Sequence, residues 1–116
     1  MKIAVVGSRT FTDYKLLEET LTDYLTDNAY NGVIISGGAK GADKLAERFA
    51  DEMGLEKLIF HADWNAYGKR AGFIRNVDII KNADIVFAFH QNNSKGTQHS
   101  IDLAKQWNKE LYIIEV

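Results

Sequence analysis

The stretch "VIISGGAKGADKLAERFA" (33–50) decides how the chain is read. A β-branched apolar run ends in Gly37 and Gly38. Gly41 follows, and apolar residues then recur at helical spacing, at Leu45, Ala46, Phe49, Ala50 and Met53, with Gly54 as a C-terminal stop. A strand therefore passes into a helix through a glycine-rich turn. Glycine there allows positive φ and close approach of the backbone to a ligand. The helix that follows offers unpaired N–H groups and the positive end of its dipole.

The same alternation runs outward in both directions. "KIAVV" (2–6), "GVIIS" (32–36), "KLIFH" (57–61), "DIVFAF" (84–89) and "ELYIIEV" (110–116) read as five strands. Between them, helical periodicity places Leu17, Leu21, Tyr24 and Leu25 on one face of 13–28. It aligns Phe73, Val77 and Ile80 in 69–82, and Ile101, Ala104 and Trp107 in 96–108, where Trp107 is expected in the core. With the helix at 42–54, the count is five strands and four helices. The strands are continuous rather than alternating, as in a parallel sheet buried on both faces. The expected fold is a Rossmann-like α/β domain of three layers spanning 1–116. Its class predicts strand order 3-2-1-4-5, with a switch point between strands 1 and 4.

Composition bounds the rest. With 116 residues, 46% hydrophobic and 26% charged, the chain suits one globular domain. It has no cysteine, so disulfides and zinc–thiolate sites are excluded and a cytoplasmic setting is expected. "MKIAVVGSRTF" is too short and too soon interrupted for a signal peptide, and no stretch suits a membrane span. The net charge of −2 disfavours a general nucleic-acid surface. There is no proline, so glycine, asparagine, aspartate and serine must make every turn.

In a parallel sheet all strand-to-helix loops share one edge. Here they are "GSRTFTD" (7–13), "SGGAKGAD" (36–43), "HADWNAYGKRAG" (61–72) and "HQNNSKGT" (90–97). Seven of the nine glycines fall there: Gly7, Gly37, Gly38, Gly41, Gly68, Gly72 and Gly96. His61, His90 and His99 lie in or beside these loops, as do Arg9, Lys40, Lys69, Arg70 and Lys95. Ser8, Ser36 and Ser94 add a hydroxyl to three of them. Ligands of open α/β sheets bind at this edge, and glycines among cations favour an anion, most simply a nucleotide phosphate. Trp64 and Tyr67 read as core or as a lid, and their loop is long enough to be a lid over a base. The histidines lack metal-ligand spacing, and the spacing supports no Ser-His-acid order and no paired carboxylates. "GGAKGAD" is not the G-x-x-x-x-G-K-[ST] phosphate loop, and "GSRTFT" is not G-x-G-x-x-G. Neither a metal nor a cofactor is expected.

The ordered series "VVGSRTF", "ISGGAKGAD", "ADW", "GKRAGFIRN" and "SKGT" resembles the YspA-like branch of the SLOG superfamily, which includes the SMF/DprA and LOG proteins. The resemblance runs over nearly the whole chain and implies a Rossmann-like sheet whose glycine-rich loops bind nucleotides or their derivatives. Some LOG members are phosphoribohydrolases, others are sensors, and several belong to bacterial or phage defence. It places the family arginine at Arg75 and a branch-specific acid at Asp43, which would meet a ribose hydroxyl or act as an acid. Gly96 and Thr97 match the LOG P-G-G-x-G-T-x-x-E loop. Its proline and paired glycines are absent, and its catalytic glutamate is replaced by Ser100.

The expected ligand is a nucleotide-derived small molecule of ADP-ribose type. Its site would comprise Gly7, Ser8 and Arg9; Ser36, Gly37, Gly38, Ala39, Gly41 and Asp43; Trp64, Arg75 and Asn76; and Ser94, Lys95, Gly96 and Thr97. If the chain catalyses, Asp43 and Arg75 are the residues expected to do so, with Asp63 as an alternative acid, in an N-glycoside hydrolysis. Single-stranded DNA binding and a pure interaction module are the remaining readings, and a homo-oligomer is left open.

Overall fold

The computed structural model describes residues 1–28, 31–91 and 94–116. Five strands, β1 (Lys2–Gly7), β2 (Val33–Ser36), β3 (Glu56–Ile59), β4 (Ile85–His90) and β5 (Glu110–Glu115), form one wholly parallel sheet in the order β3-β2-β1-β4-β5. The expected order holds. β1 lies between β2 and β4, so the chain switches direction across the sheet beside β1.

The period of two along each strand sorts side chains between two cores. On one face Ile3 and Val5 of β1, with Ile85, Phe87 and Phe89 of β4, pack against helices α1 (Tyr14–Asp27) and α2 (Ala42–Met53). Leu17, Leu21 and Leu25 of α1, and Ala46, Phe49 and Ala50 of α2, are fully buried there. On the other face Ala4, Val6, Val86 and Ala88 pack against Ile79 and Ile80, and against Ile101 and Ala104. Small residues on that face let the helices lie close to the sheet.

Local chemistry sets the helix ends. Asp13 Oδ1 accepts the Leu16 N–H at 3.1 Å and starts α1. Gly54, in the left-handed conformation at φ +68°, ends α2. The connection 61–72, read from the sequence as a loop, contains a short helix α3 (Trp64–Tyr67) and a 3-10 turn (Gly68–Arg70) that leads into α4 (Ala71–Asn82). Asp63 caps α3 by accepting the Ala66 N–H at 3.0 Å. Four residues cannot display a helical period, so this element left no trace in the apolar pattern. The last helix, α5 (Lys95–Gln106), is capped by Ser94. Among the described residues no helix is long and apolar enough to cross a membrane.

Four burial expectations fail. Met53, aligned in sequence with the apolar face of α2, lies in its last turn and is 37% exposed. Trp107, expected in the core, lies just past α5 and is 37% exposed; Phe73 is 51% exposed and sits edge-on against His99. β3 and β5 have a neighbour on one side only, so Leu58, Tyr112 and Ile113 stay exposed although their runs read as continuous apolar strands.

Candidate functional site

Because every strand is parallel, all four strand-to-helix connections meet at the carboxyl edge. They line one cleft of about 370 Å³. The first connection brings Gly7, Ser8 and Arg9 to it, and the second Ala39 and Asp43. The third brings Trp64, with Arg75 and Asn76 from α4, and the fourth brings Ser94, Gly96 and Thr97. A second chamber of about 580 Å³ adjoins it and adds Gly37 and Gly38. Three of the expected residues lie outside both chambers. Ser36 is buried beneath the second loop, Gly41 lies under the first, and Lys95 faces a separate depression with His90, His99 and Asp102.

The glycine-rich loop is held mainly by the protein's own groups. Ser36 Oγ accepts the Gly38 N–H at 3.0 Å and donates to Glu47 Oε2 at 2.7 Å. Asp43 Oδ2 accepts the Ala39 N–H at 3.2 Å. The Ala42 N–H reaches the Ser8 carbonyl at 3.2 Å and ties the second loop to the first. Gly38 and Gly41 have φ of +71° and +79°, as a tight strand-to-helix turn requires. A β-carbon on Gly41 would collide with the carbonyl of Ser8 and the backbone of Arg9, and one on Gly38 with the His61 ring. The close approach these glycines permit is thus to neighbouring protein, where the sequence suggested a ligand.

Arg75 is the best-placed cation of the cleft. Its Nη1 donates to the Gly37 carbonyl at 2.9 Å. A β-carbon on Gly37 would lie 2.8 Å from both Arg75 Cδ and Asp43 Oδ2, so this glycine seats both side chains. Arg75 Nε is buried without a hydrogen-bond partner. Burial lowers the Arg75 pKa, Asp43 opposes that effect, and the like charge of Arg9 adds to it. Burial also drives the Asp43 carboxyl up from 3.8 to about 6, against the N–H of Ala39 and the charge of Arg75; Glu47 pushes it the same way as burial.

Glu47 is a site-side residue that the sequence reading missed. It is only 8% exposed and lies one helical turn after Asp43, so α2 carries two buried carboxylates on one face. The available signal was the four-residue spacing in "GADKLAE". Ser100, standing where the LOG resemblance places a glutamate, is 1% exposed and lines the cleft. Asn76 Nδ2 approaches His99 Nδ1 at 3.3 Å, and Thr97 Oγ1 donates to Ser94 Oγ at 3.1 Å, so these polar groups are fixed at the cleft wall. Asp63 serves as the cap of α3. Trp64, which lines the cleft, and Tyr67, which does not, are both about half exposed.

A doubly wound parallel sheet with a polar, glycine-lined cleft at its carboxyl edge defines a Rossmann-like ligand-binding class. Residues 1–67 match the model of the YspA, cpYpsA-related SLOG family, and the chain belongs to that family. It is 34% identical over 111 residues to the Gene 61 protein of Mycobacterium phage D29, covering 90% of this chain and 89% of that one. Among solved structures, DNA processing protein A (DprA) of Streptococcus pneumoniae is similar at TM-score 0.81 and 20% identity, over 99% of this chain and 50% of that one. DNA processing protein A of Helicobacter pylori, described for its single-stranded DNA binding mode, matches at TM-score 0.69 and 24% identity, over 100% of this chain and 66% of that one. The chain thus spans about half the length of the first DprA and just under two thirds of the second. At these identities the likeness is one of fold.

Proposed function

We infer that the chain binds a nucleotide or a nucleotide-derived molecule, such as one of ADP-ribose type, in the cleft at the carboxyl edge, and works as a sensor or binding protein in the cytoplasm. The observation that carries this reading is Arg75. Its guanidinium is anchored in the cleft through the Gly37 carbonyl and lines it together with Arg9, whose like charge it feels. A phosphate supplies the negative charge that two neighbouring guanidinium groups lack. Asp43 and Asn76 then offer an acceptor and a donor for a ribose, and Trp64 a face for a base. Calorimetric titration with a panel of nucleotides tests the reading. Arg75→Ala is expected to weaken the best ligand by about 10- to 150-fold, the value of a charge-assisted contact. A variant that binds like the parent would place the anion elsewhere.

A second reading, N-glycoside hydrolysis, is favoured by Asp43, whose carboxyl, raised to about 6, titrates near the physiological range, as a general acid or base does. Ser100 weighs against it, since a hydroxyl cannot stabilise an oxocarbenium ion as a carboxylate does. Chromatography of AMP incubations is expected to show little or no free adenine. Robust release that disappears in Asp43→Asn would make the protein an enzyme.

The exposed rings of Trp64, Tyr67 and Phe73 favour a third reading, in which bases of single-stranded DNA stack along the rim. The net charge of −2 opposes it. Fluorescence anisotropy with a labelled oligonucleotide at two salt concentrations separates it from the first.

A further inference from the structure

The second chamber lies beyond a wall made by Arg9, Ala39, Trp64 and Arg75, which both chambers share. The two differ in chemistry. The first holds the carboxyl of Asp43 and the apolar side chains of Val6, Phe73 and Ile79. Among the described residues no acid lines the second; Lys40, His61 and the glycines of the second loop line it, together with the two arginines. His61 is exposed yet well placed. Its ring lies so close to Gly38 that a β-carbon there would come within 2.8 Å of Cε1 and Nδ1. Lys40 and His61, with Arg9 and Arg75, thus gather cationic and donor side chains around this chamber on a protein of net charge −2.

We propose that this chamber is a second anion subsite, and that the ligand is a nucleotide carrying at least two phosphates. One phosphate is held at Arg9 and Arg75, and the next is seated between Lys40 and His61. The proposal rests on the nucleotide reading of the cleft and adds to it a ligand class and two recognition residues. A monophosphate bound at the arginines would leave Lys40 and His61 without an anion. A second phosphate, reached through the shared wall, engages both. That phosphate can be terminal, can lead to a sugar, or can belong to the next nucleotide of a short strand.

Calorimetric titration of the full chain with AMP, ADP, ADP-ribose and the dinucleotide pApA tests this, in the parent and in Lys40→Ala and His61→Ala. Both positions are exposed, so neither substitution removes core packing; circular dichroism verifies the fold. ADP is expected to bind about tenfold or more tighter than AMP, and each substitution to remove most of that gain while leaving AMP unchanged. ADP-ribose binding like ADP, with the same dependence on Lys40 and His61, supports a phosphate that leads to a sugar. The same dependence with pApA supports a strand. Equal affinity for AMP and ADP, or substitutions that weaken both alike, would overturn the subsite while leaving the nucleotide reading in place. Failure of all four ligands to bind would remove that reading and the subsite with it.

Discussion

Gly41 and Gly96 separate two reasons for a glycine at a strand-to-helix junction. Gly41 has positive φ, and a β-carbon would strike the backbone of Ser8 and Arg9. Gly41→Ala is therefore expected to lower stability by about 1–3 kcal/mol, with a further contribution from the unfavourable φ, as read from urea unfolding. Gly96 has nothing within 4 Å of its virtual β-carbon and lines the cleft in the first turn of α5. Gly96→Ala should leave stability unchanged or raise it by up to about 1 kcal/mol, while weakening nucleotide binding; unchanged binding would take Gly96 out of the site. Asp43 makes a pH prediction. Below pH 3.8 its carboxyl is protonated in both folded and unfolded chains and costs nothing. Between 3.8 and about 6 the unfolded chain loses the proton first, so stability falls as pH rises. Above that window the full cost, on the order of 3 kcal/mol, is present. Asp43→Asn should remove this pH dependence, and unfolding curves from pH 4 to 8 that run parallel for the two proteins would contradict the assignment.

At the scale of elements, the junction of β2 with α2 depends on Ser36. Its hydroxyl links the buried carboxylate of Glu47 on α2 to the Gly38 amide of the loop. Ser36→Ala leaves a buried carboxylate and an amide short of a partner and is expected to cost about 1–3 kcal/mol. Paired with Glu47→Gln in a double-mutant cycle, it should show a coupling of about 0.5–3 kcal/mol; additive losses would mean that the two side chains act independently. This junction was only half legible beforehand. The strand, the turn and the helix face are written in the apolar pattern and the glycines. The Glu47–Ser36 contact is not, because a serine and a glutamate eleven residues apart have no periodic signature. Nor was α3, whose stability comes from the Asp63 cap and not from an apolar face.

For the whole molecule, the parallel sheet gathers the strand-to-helix loops, and both chambers they line, at its carboxyl edge, away from the helix-to-strand turns. Lys57, at the far end of β3, pairs with Asp51 at 2.8 Å on a solvated surface. Lys57→Ala should leave ligand affinity unchanged in the same titration that detects Arg75→Ala, with little effect on stability, since the pair it breaks is solvated. A binding loss there would mean that the two edges are coupled through the sheet.

Alternation of β-branched runs with helical periods was enough to set five strands, a parallel sheet and the membership of the four connecting loops, because each is a local property of pattern. The strand order came from the class. Burial at the periphery needed the tertiary structure. Trp107, Phe73, Leu58 and Tyr112 look apolar in sequence, but exposure depends on what lies beyond a helix end or an edge strand. The pairing of Arg75 with Gly37 across 38 residues, the two carboxylates on α2 and the raised Asp43 carboxyl likewise exist only once the fold has brought distant segments into a low-dielectric interior.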